Sequence, residues 1–504
     1  MSEAKRRISL ALFFVAYLAF GLIFSGVGNG NTVPRIAMTL AMIERGSLYI
    51  DAFAPFTDDK GAAHGHYISD KAPGLSLLAL PATAAAVKAL RWLEPGPRWI
   101  SMDASSGGAV LTAELHWVQW VATVSTSALL TALAVVVLFR TALVLGVSEK
   151  GSLFAAMIYG FATPTWGWAT TFFSHAPCGA FLILGFGAVV AATTRSGGVG
   201  DDWTALKSWC AGVGSGFLLG VAILLELTSA PAVLSIALYG AWRSWRMTPL
   251  RTVPMAAGAV LGGLAAGAPF MLHNLLLFGD PLSVGYSHSI APPGYEAIAF
   301  TAPSLTVAAQ LLFGGGRGLL WLSPVLLLAP LSWLATWRAG ARSTLILCLA
   351  VFVAFLLINA AYVNWYAGAS TGPRYIAPAL AFVALPFGWL WDRSSVIARR
   401  IMGSVAILSG ILCFAMAGIQ MFSPWDYQRQ SSHVDNVVVD TLLPQLVRQD
   451  LPNLVVRQLG AKRRAAFLSY ALPVGGGLLL LWLSAGVSTL PAGNRRIPQP
   501  ACET

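Results

Sequence analysis

Apolar runs of about 20 residues, the length that crosses a bilayer, recur almost end to end along this chain. They cover residues 8–26, 73–91, 116–139, 151–168, 174–192, 209–242 (broken at Pro231), 253–278, 305–337, 344–362, 375–391, 401–422 and 467–487. The pattern predicts an all-α integral membrane protein of about 12 transmembrane helices, one polytopic domain over residues 1–504. If the crossings alternate, the longer polar stretches at 27–72, 279–304 and 423–466 all emerge on one side. In the first of them, Val33, Ile36, Ala37, Leu40 and Ala41 recur at helical spacing, which predicts an amphipathic juxtamembrane helix lying on the membrane plane. The mixed pattern of 423–466 predicts further surface helices over the same face.

Composition agrees with lipid as the solvent. Hydrophobic residues make up 56% of the chain and charged residues 11%, against roughly a quarter charged in a soluble protein. The net charge of +11 would suit nucleic acid, but the basic residues form short clusters beside apolar runs. These are Lys5 to Arg7; Arg243, Arg246 and Arg251; Arg338 and Arg342; Arg393, Arg399 and Arg400; and Arg495 with Arg496. Such clusters mark cytoplasmic loops and place both termini in the cytoplasm, with no nucleic-acid partner. Simple alternation conflicts with this rule at one place, since it puts Arg140 and Lys150 outside. Reading 209–242 as two crossings and 73–91 as re-entrant would remove the conflict. The basic front of the first run reads as an uncleaved anchor rather than a cleaved leader. Cys178, Cys210, Cys348, Cys413 and Cys502 show no disulfide or metal spacing.

The first loop gathers Arg35, Glu44, Arg45, Asp51, Asp58, Asp59, Lys60, His64, His66, Asp70 and Lys71. Its second half, GHYISDKAPG, sets Asp70 and Lys71 just before a proline that opens an apolar run. A lysine held at that depth can bind a lipid phosphate, and an adjacent carboxylate can orient it or move protons. In YVNWYAGASTGPRYIAP, residues 362–378, Arg374 stands at the head of the next run, where it can clamp a phosphate or serve as an interfacial anchor. FGDPLSVGYSH, with His288, and LLFGGGRGLL, with Arg317, lie between these segments. His175, in TPTWGWATTFFSH, reads as a hydrogen-bonded histidine at a helix break. No Walker, Rossmann or zinc-spaced motif is present.

The order of these pieces resembles the multi-span, lipid-linked-sugar glycosyltransferases of the C superfamily, in particular the branch of protein O-mannosyltransferases and lipid A aminoarabinose transferases. The resemblance implies transfer of a sugar from a polyprenyl-phosphate donor to an acceptor on a lipid, glycan or protein. It implies an outer-face site, in a bacterial plasma (inner) membrane. On that likeness Arg35, Lys71 and Arg374 hold the donor phosphate, and Asp59, Asp70 or Asp51 is the catalytic acid, with Asp59 and Asp70 favoured. His66, Tyr67, His288, Tyr375 and Arg317 are candidate substrate contacts. A divalent metal is compatible with this chemistry and not required by it. The chain departs from the family in one respect. Where an acid usually follows the first span, it offers Asn29 and Asn31, and an amide cannot act as a base. A transporter or flippase for a lipid-linked glycan, with Glu226 and Asn359 as its polar residues, and a non-catalytic scaffold are the competing expectations.

Overall fold

The computed structural model describes residues 3–26, 28–94, 96, 98–103, 108–194, 205–247, 249–290, 299–368, 370–422 and 436–485. The tail carrying Arg495, Arg496 and Cys502, and parts of the loops at 279–304 and 423–466, lie outside them. Helices dominate. They are α1 (Glu3–Gly21), α2 (Val33–Arg45), α3 (Gly74–Leu93), α4 (Ala113–Val144, with a π turn at Val124–Ala128), α5 (Glu149–Phe161), α6 (His175–Thr194), α7 (Ala205–Leu225) and α8 (Ala230–Met247). After them come α9 (Pro249–Phe278), α10 (Leu305–Phe313), α11 (Ala329–Arg338), α12 (Arg342–Ala361), α13 (Arg374–Arg393), α14 (Val396–Ile419) and α15 (Arg463–Ser484). Two small antiparallel hairpins, β1–β2 (Lys60–Ala63, His66–Ser69) and β3–β4 (Ile100–Met102, Ala109–Leu111), are the strands.

Among the described residues nine helices are long and apolar enough to cross a membrane, fewer than the 12 expected from the sequence. Their outer surfaces keep large apolar side chains exposed, such as Leu250, Leu264 and Leu480, as lipid-facing helices do. The ends of the bundle differ in chemistry. At one end, Ser148 pairs with Asp392, Arg243 donates to Thr193 and Thr194, Arg393 reaches the Arg338 carbonyl and Arg399 reaches that of Trp391. This basic end also receives Arg140 and Lys150, whose helices meet at the Ser148 turn. At the other end lie the hairpin β1–β2 and the segment at 453–455, whose backbone pairs with residues 22–24 and closes the end of α1.

The contacts correct two expected crossings. Residues 73–91 do not cross. Their helix α3 starts where Ser76 bonds the Arg35 carbonyl and finishes where Arg91 meets Glu44 of α2. Trp99 also donates to Glu44, and its carbonyl accepts from Thr112 at the start of α4. Both ends of α3 are therefore at the loop end, and α3 lies beside α2 as a second juxtamembrane helix. Residues 209–242, by contrast, run the length of the bundle twice. Helices α7 and α9 are parallel: glycines at 212 and 216 of α7 face Met255 and Ala259 of α9 at a constant offset. A Cβ on Gly216 would stand 2.0 Å from the Ala259 carbonyl oxygen, so only glycine allows this approach. With α7 and α9 running the same way, α8 has to return between them, and the chain turns at Glu226. Together these changes bring Arg140 and Lys150 to the basic end, which removes the conflict with the positive-inside rule.

The amphipathic helix α2 is more enclosed than expected. Residues from Val33 to Ala41 are all buried, because α3 covers the face that would otherwise meet water or lipid. Gly46, at φ +57°, ends it in a left-handed cap.

Single cysteines introduced in a cysteine-free background at Ser47 and Trp92 are expected to react with a membrane-impermeant maleimide from the same side of sealed vesicles, and one at Lys150 from the opposite side. Labelling of Trp92→Cys from the side opposite Ser47→Cys, with Lys150→Cys reacting from the same side as Ser47→Cys, would restore α3 as a crossing.

Candidate functional site

The loop end holds a cluster of buried charges assembled by one hairpin. Strands β1 and β2 pair Lys60 with Ser69 through to Ala63 with His66. The two-residue turn His64-Gly65 has both φ values positive, +52° and +81°, as a type I′ turn requires. In that register Asp59, just before β1, and Asp70, just after β2, flank the open mouth of the hairpin, and Lys71 stands between them. The Lys71 ammonium is 3.1 Å from Asp59 and 3.2 Å from Asp70. Gly285 comes so close to the Asp70 backbone that a Cβ would lie 2.8 Å from its carbonyl oxygen. That approach sets the Tyr286 ring 5.0 Å from the ammonium.

Around this core runs a second set of groups. Asn31 donates to Asp59 at 2.9 Å and accepts from Arg35, whose guanidinium also donates to the Asn31 carbonyl and, at 3.1 Å, to Ser174. Ser174 in turn donates to Glu226, and His175 Nδ1 lies 3.0 Å from the same Glu226 oxygen. The His175 ring meets Tyr375 edge-on at 5.3 Å, and the Tyr375 hydroxyl accepts from Arg374 at 3.1 Å. Arg35 and Arg374 flank one ring, Phe173, at 5.8 and 5.2 Å. The Nε–H groups of both arginines are buried with no hydrogen-bond partner among the described residues.

The two carboxylates on Lys71 are not equivalent. Burial pushes both upward. For Asp59, whose side chain keeps 28% of its exposure, Lys71, Arg374 and Arg35 outweigh burial and hold the carboxyl below its usual range. For the enclosed Asp70, burial wins over Lys71, the Asp59 charge adds to it, and the carboxyl is pushed up to about 6. Lys71 is raised despite its burial, because Asp59 and Asp70 face it. Asp59 is thus the ionised, reachable carboxylate, and Asp70 the one that takes a proton first.

The structure therefore brings together Asp59, Asp70, Lys71, Arg35, Arg374 and Tyr375. It sets the other candidates elsewhere. Asp51 caps the outer side of the hairpin, 2.9 Å from His66 and bonded to the Tyr67 amide, and His66 stacks on Tyr49. His288 stacks on Phe278 and bonds Ser283. Arg317 is buried and donates to Ser370 and to the Gly368 carbonyl, holding the loop that leads to Arg374. Asn359, in the last turn of α12, ties down the following loop by donating to the Trp365 carbonyl. Sequence reasoning did not place Ser174, Phe173, Tyr286 or Glu226 in this site. Glu226 stood out only as a polar residue for a transporter, and it lies at the loop end, joined to Arg35 through Ser174. Among the described residues no three His, Cys, Asp or Glu side chains gather as metal ligands. A cavity of about 470 Å³ lies between α7, α8 and α9, lined by Leu224, Leu227, Val233, Gly263 and Phe270 among others. Leu224 and Leu227 bracket Glu226, so this apolar space begins beside the charged cluster.

No protein-family model and no curated protein sequence matches the chain. Among solved structures, the crystal structure of ArnT from Cupriavidus metallidurans bound to undecaprenyl phosphate is similar at 14% identity and a TM-score of 0.49, covering 95% of this chain and 76% of that one. The archaeal oligosaccharyltransferase AglB from Archaeoglobus fulgidus, in complex with an inhibitory peptide and a dolichol-phosphate, is similar at 12% identity and a TM-score of 0.46, covering 85% and 57%. Likenesses this distant assign no role to any residue.

Removing the cation between two buried carboxylates is expected to be costly. Lys71→Met should destabilise the protein by about 3–5 kcal/mol, read as a lower melting temperature in detergent, and Lys71→Met/Asp70→Asn should recover part of the loss. Because the folded state raises the Asp70 carboxyl, it binds that proton more tightly than the unfolded chain does, so this group adds stability as the pH falls from about 6 toward ~4. Asp59 acts with the opposite sign, its contribution fading only below ~4. Melting curves between these pH values should differ in slope between the wild type and Asp70→Asn, and parallel curves would contradict the assignment.

Proposed function

We propose that this chain is a glycosyltransferase that moves a sugar from a polyprenyl-phosphate donor to an acceptor hydroxyl on a lipid, glycan or protein. The observation that carries the reading is the pair Arg35 and Arg374. Two guanidiniums flank one aromatic ring, are held by neutral partners, and keep buried Nε–H donors with nothing to bond. Buried donors of this kind are normally satisfied, and guanidinium pairs suit phosphate oxygens in bidentate geometry. An anion of phosphate type fits between them. Lys71 is close by, and the apolar cavity beside Glu226 suits the chain of a lipid-linked donor.

The chemistry follows from the asymmetry of the two carboxylates. Asp59, ionised and reachable, takes the proton from the acceptor hydroxyl as its oxygen bonds to the anomeric carbon of the sugar. The bond from that carbon to the phosphate oxygen breaks, and the charge gathering on the leaving polyprenyl phosphate is met by Arg35, Arg374 and Lys71. Asp70 orients Lys71. Asp51 and His66, bonded to each other on the outer side of the hairpin, stand outside this step.

The positive-inside rule assigns the basic end to the cytoplasm, so the site faces the extracytoplasmic side of a bacterial plasma (inner) membrane and both termini are cytoplasmic. The loop that carries most of the site then runs from residue 27 through α3 to residue 112, longer than the expected 27–72, because α3 stays on that side.

Turnover of a polyprenyl-phosphate sugar by purified protein tests the reading. Asp59→Asn is expected to lower kcat by about 10²–10⁴-fold, the usual contribution of general-base catalysis, with donor binding retained. Arg374→Ala should weaken donor binding about tenfold or more, as for loss of hydrogen bonds to a charged group. Full activity in Asp59→Asn, or movement of the intact lipid-linked sugar across vesicles without transfer, would sink the proposal.

A further inference from the structure

The transfer step leaves one buried acid without a task. Glu226 stands where α7 stops, in extended backbone at φ −146° and ψ 108°, between two membrane-length helices. A buried ionisable residue at such a break is a candidate for a role beyond packing. Two chains of contacts leave its carboxylate. In one, Ser174 donates to Glu226 and its oxygen accepts from Arg35 at 3.1 Å. In the other, His175 Nδ1 sits 3.0 Å from Glu226, the His175 ring butts against Tyr375 at 5.3 Å, and the Tyr375 hydroxyl accepts from Arg374 at 3.1 Å. A carboxylate only accepts, so it fixes the Nδ1–H tautomer of His175 and the direction of the Ser174 hydroxyl.

We propose that Glu226 is the positioning residue of the anion site, setting Arg35 through Ser174 and Arg374 through His175 and Tyr375. This rests on the phosphate-site reading above. The two arginines come from distant segments, the first loop and the head of α13, and Glu226 at the α7–α8 turn is the point from which contacts reach both. Anchoring through an outer layer of hydrogen bonds commonly changes affinity by about 10–100-fold when it is removed. A positioning role depends on the acceptor oxygen rather than on the charge, so an amide that keeps the oxygen in place should preserve much of the site.

Binding of undecaprenyl phosphate to the full-length protein in detergent is the test, with melting temperature recorded for each variant. Glu226→Ala is expected to weaken binding about tenfold or more, Glu226→Gln much less, and Ser174→Ala by several-fold. In the Arg35→Ala background Ser174→Ala should have no further effect, since its partner is gone. If Glu226→Ala does not fold, the Ser174 and Arg35 cycle decides alone. Wild-type affinity in Glu226→Ala or Ser174→Ala, or an undiminished Ser174→Ala loss in the Arg35→Ala background, would overturn the positioning role. Equal losses in Glu226→Ala and Glu226→Gln would also overturn it, by making charge the operative property. Should Arg35→Ala and Arg374→Ala themselves bind as the wild type does, the phosphate-site reading fails instead.

Discussion

Lys71 is the group on which the loop end of this molecule is built. An ammonium taken out of water loses several kcal/mol of hydration and is tolerated only where opposite charges and hydrogen bonds replace it. Here two carboxylates do so, 3.1 and 3.2 Å away. Their arrival from opposite arms of β1–β2 explains why a polar hairpin of four-residue strands persists against a membrane domain. It also explains the close approach of Gly285, because any Cβ there would push Tyr286 off the ammonium. Three cations, Arg35, Lys71 and Arg374, face three carboxylates, Asp59, Asp70 and Glu226. The attraction is unevenly shared: the carboxylates on Lys71 are tightly engaged, while the two arginines are held mainly by neutral oxygens.

Much of the fold was legible because a bilayer imposes one rule on every segment, and apolar runs of crossing length announce themselves. The errors came where length was mistaken for direction. Gly74–Leu93 is long and apolar enough to cross, although its mean hydropathy of 1.2 is the lowest of the nine such helices among the described residues. Nothing in its own sequence shows that Arg91 and Trp99 both return to Glu44. The reverse holds at Glu226. A long apolar run with one acid in it looked like a single crossing, yet the acid is where the chain turns, and the parallel glycine contact of α7 with α9 is what requires the turn. The positive-inside conflict at Arg140 and Lys150 was the sequence signal that something was amiss, and both corrections together remove it.

The site was legible in part for a different reason. Asp59, Asp70, Lys71, Arg35 and Arg374 are charges in a chain that has few, and Asp70, Lys71 and Arg374 stand at the border of an apolar run. Their rarity singled them out. His64-Gly65 is a readable type I′ turn, and counting outward from it along two paired strands sets Asp59 opposite Asp70. Ser174, Phe173 and Tyr286 carried no such mark, since a serine and two aromatics in the turns beside membrane segments are ordinary. Charge alone, conversely, overstated Asp51 and Arg317, which spend their hydrogen bonds on the hairpin and on Gly368 and Ser370.

Asn31 contributes to the same balance of charge. Asn31 sits between Arg35 and Asp59, accepting from one and donating to the other. A carboxylate at that position would neutralise Arg35 and face Asp59 with a like charge across a hydrogen-bond distance, raising one of the two carboxyls. The amide avoids both effects. It leaves the guanidinium charge available to an incoming anion and, by donating to Asp59, favours the ionised form that a base requires. On the transfer mechanism proposed above, Asp59 supplies the acid, and the neutral bridge at Asn31 lets a cation and an ionised carboxylate stand side by side without cancelling each other.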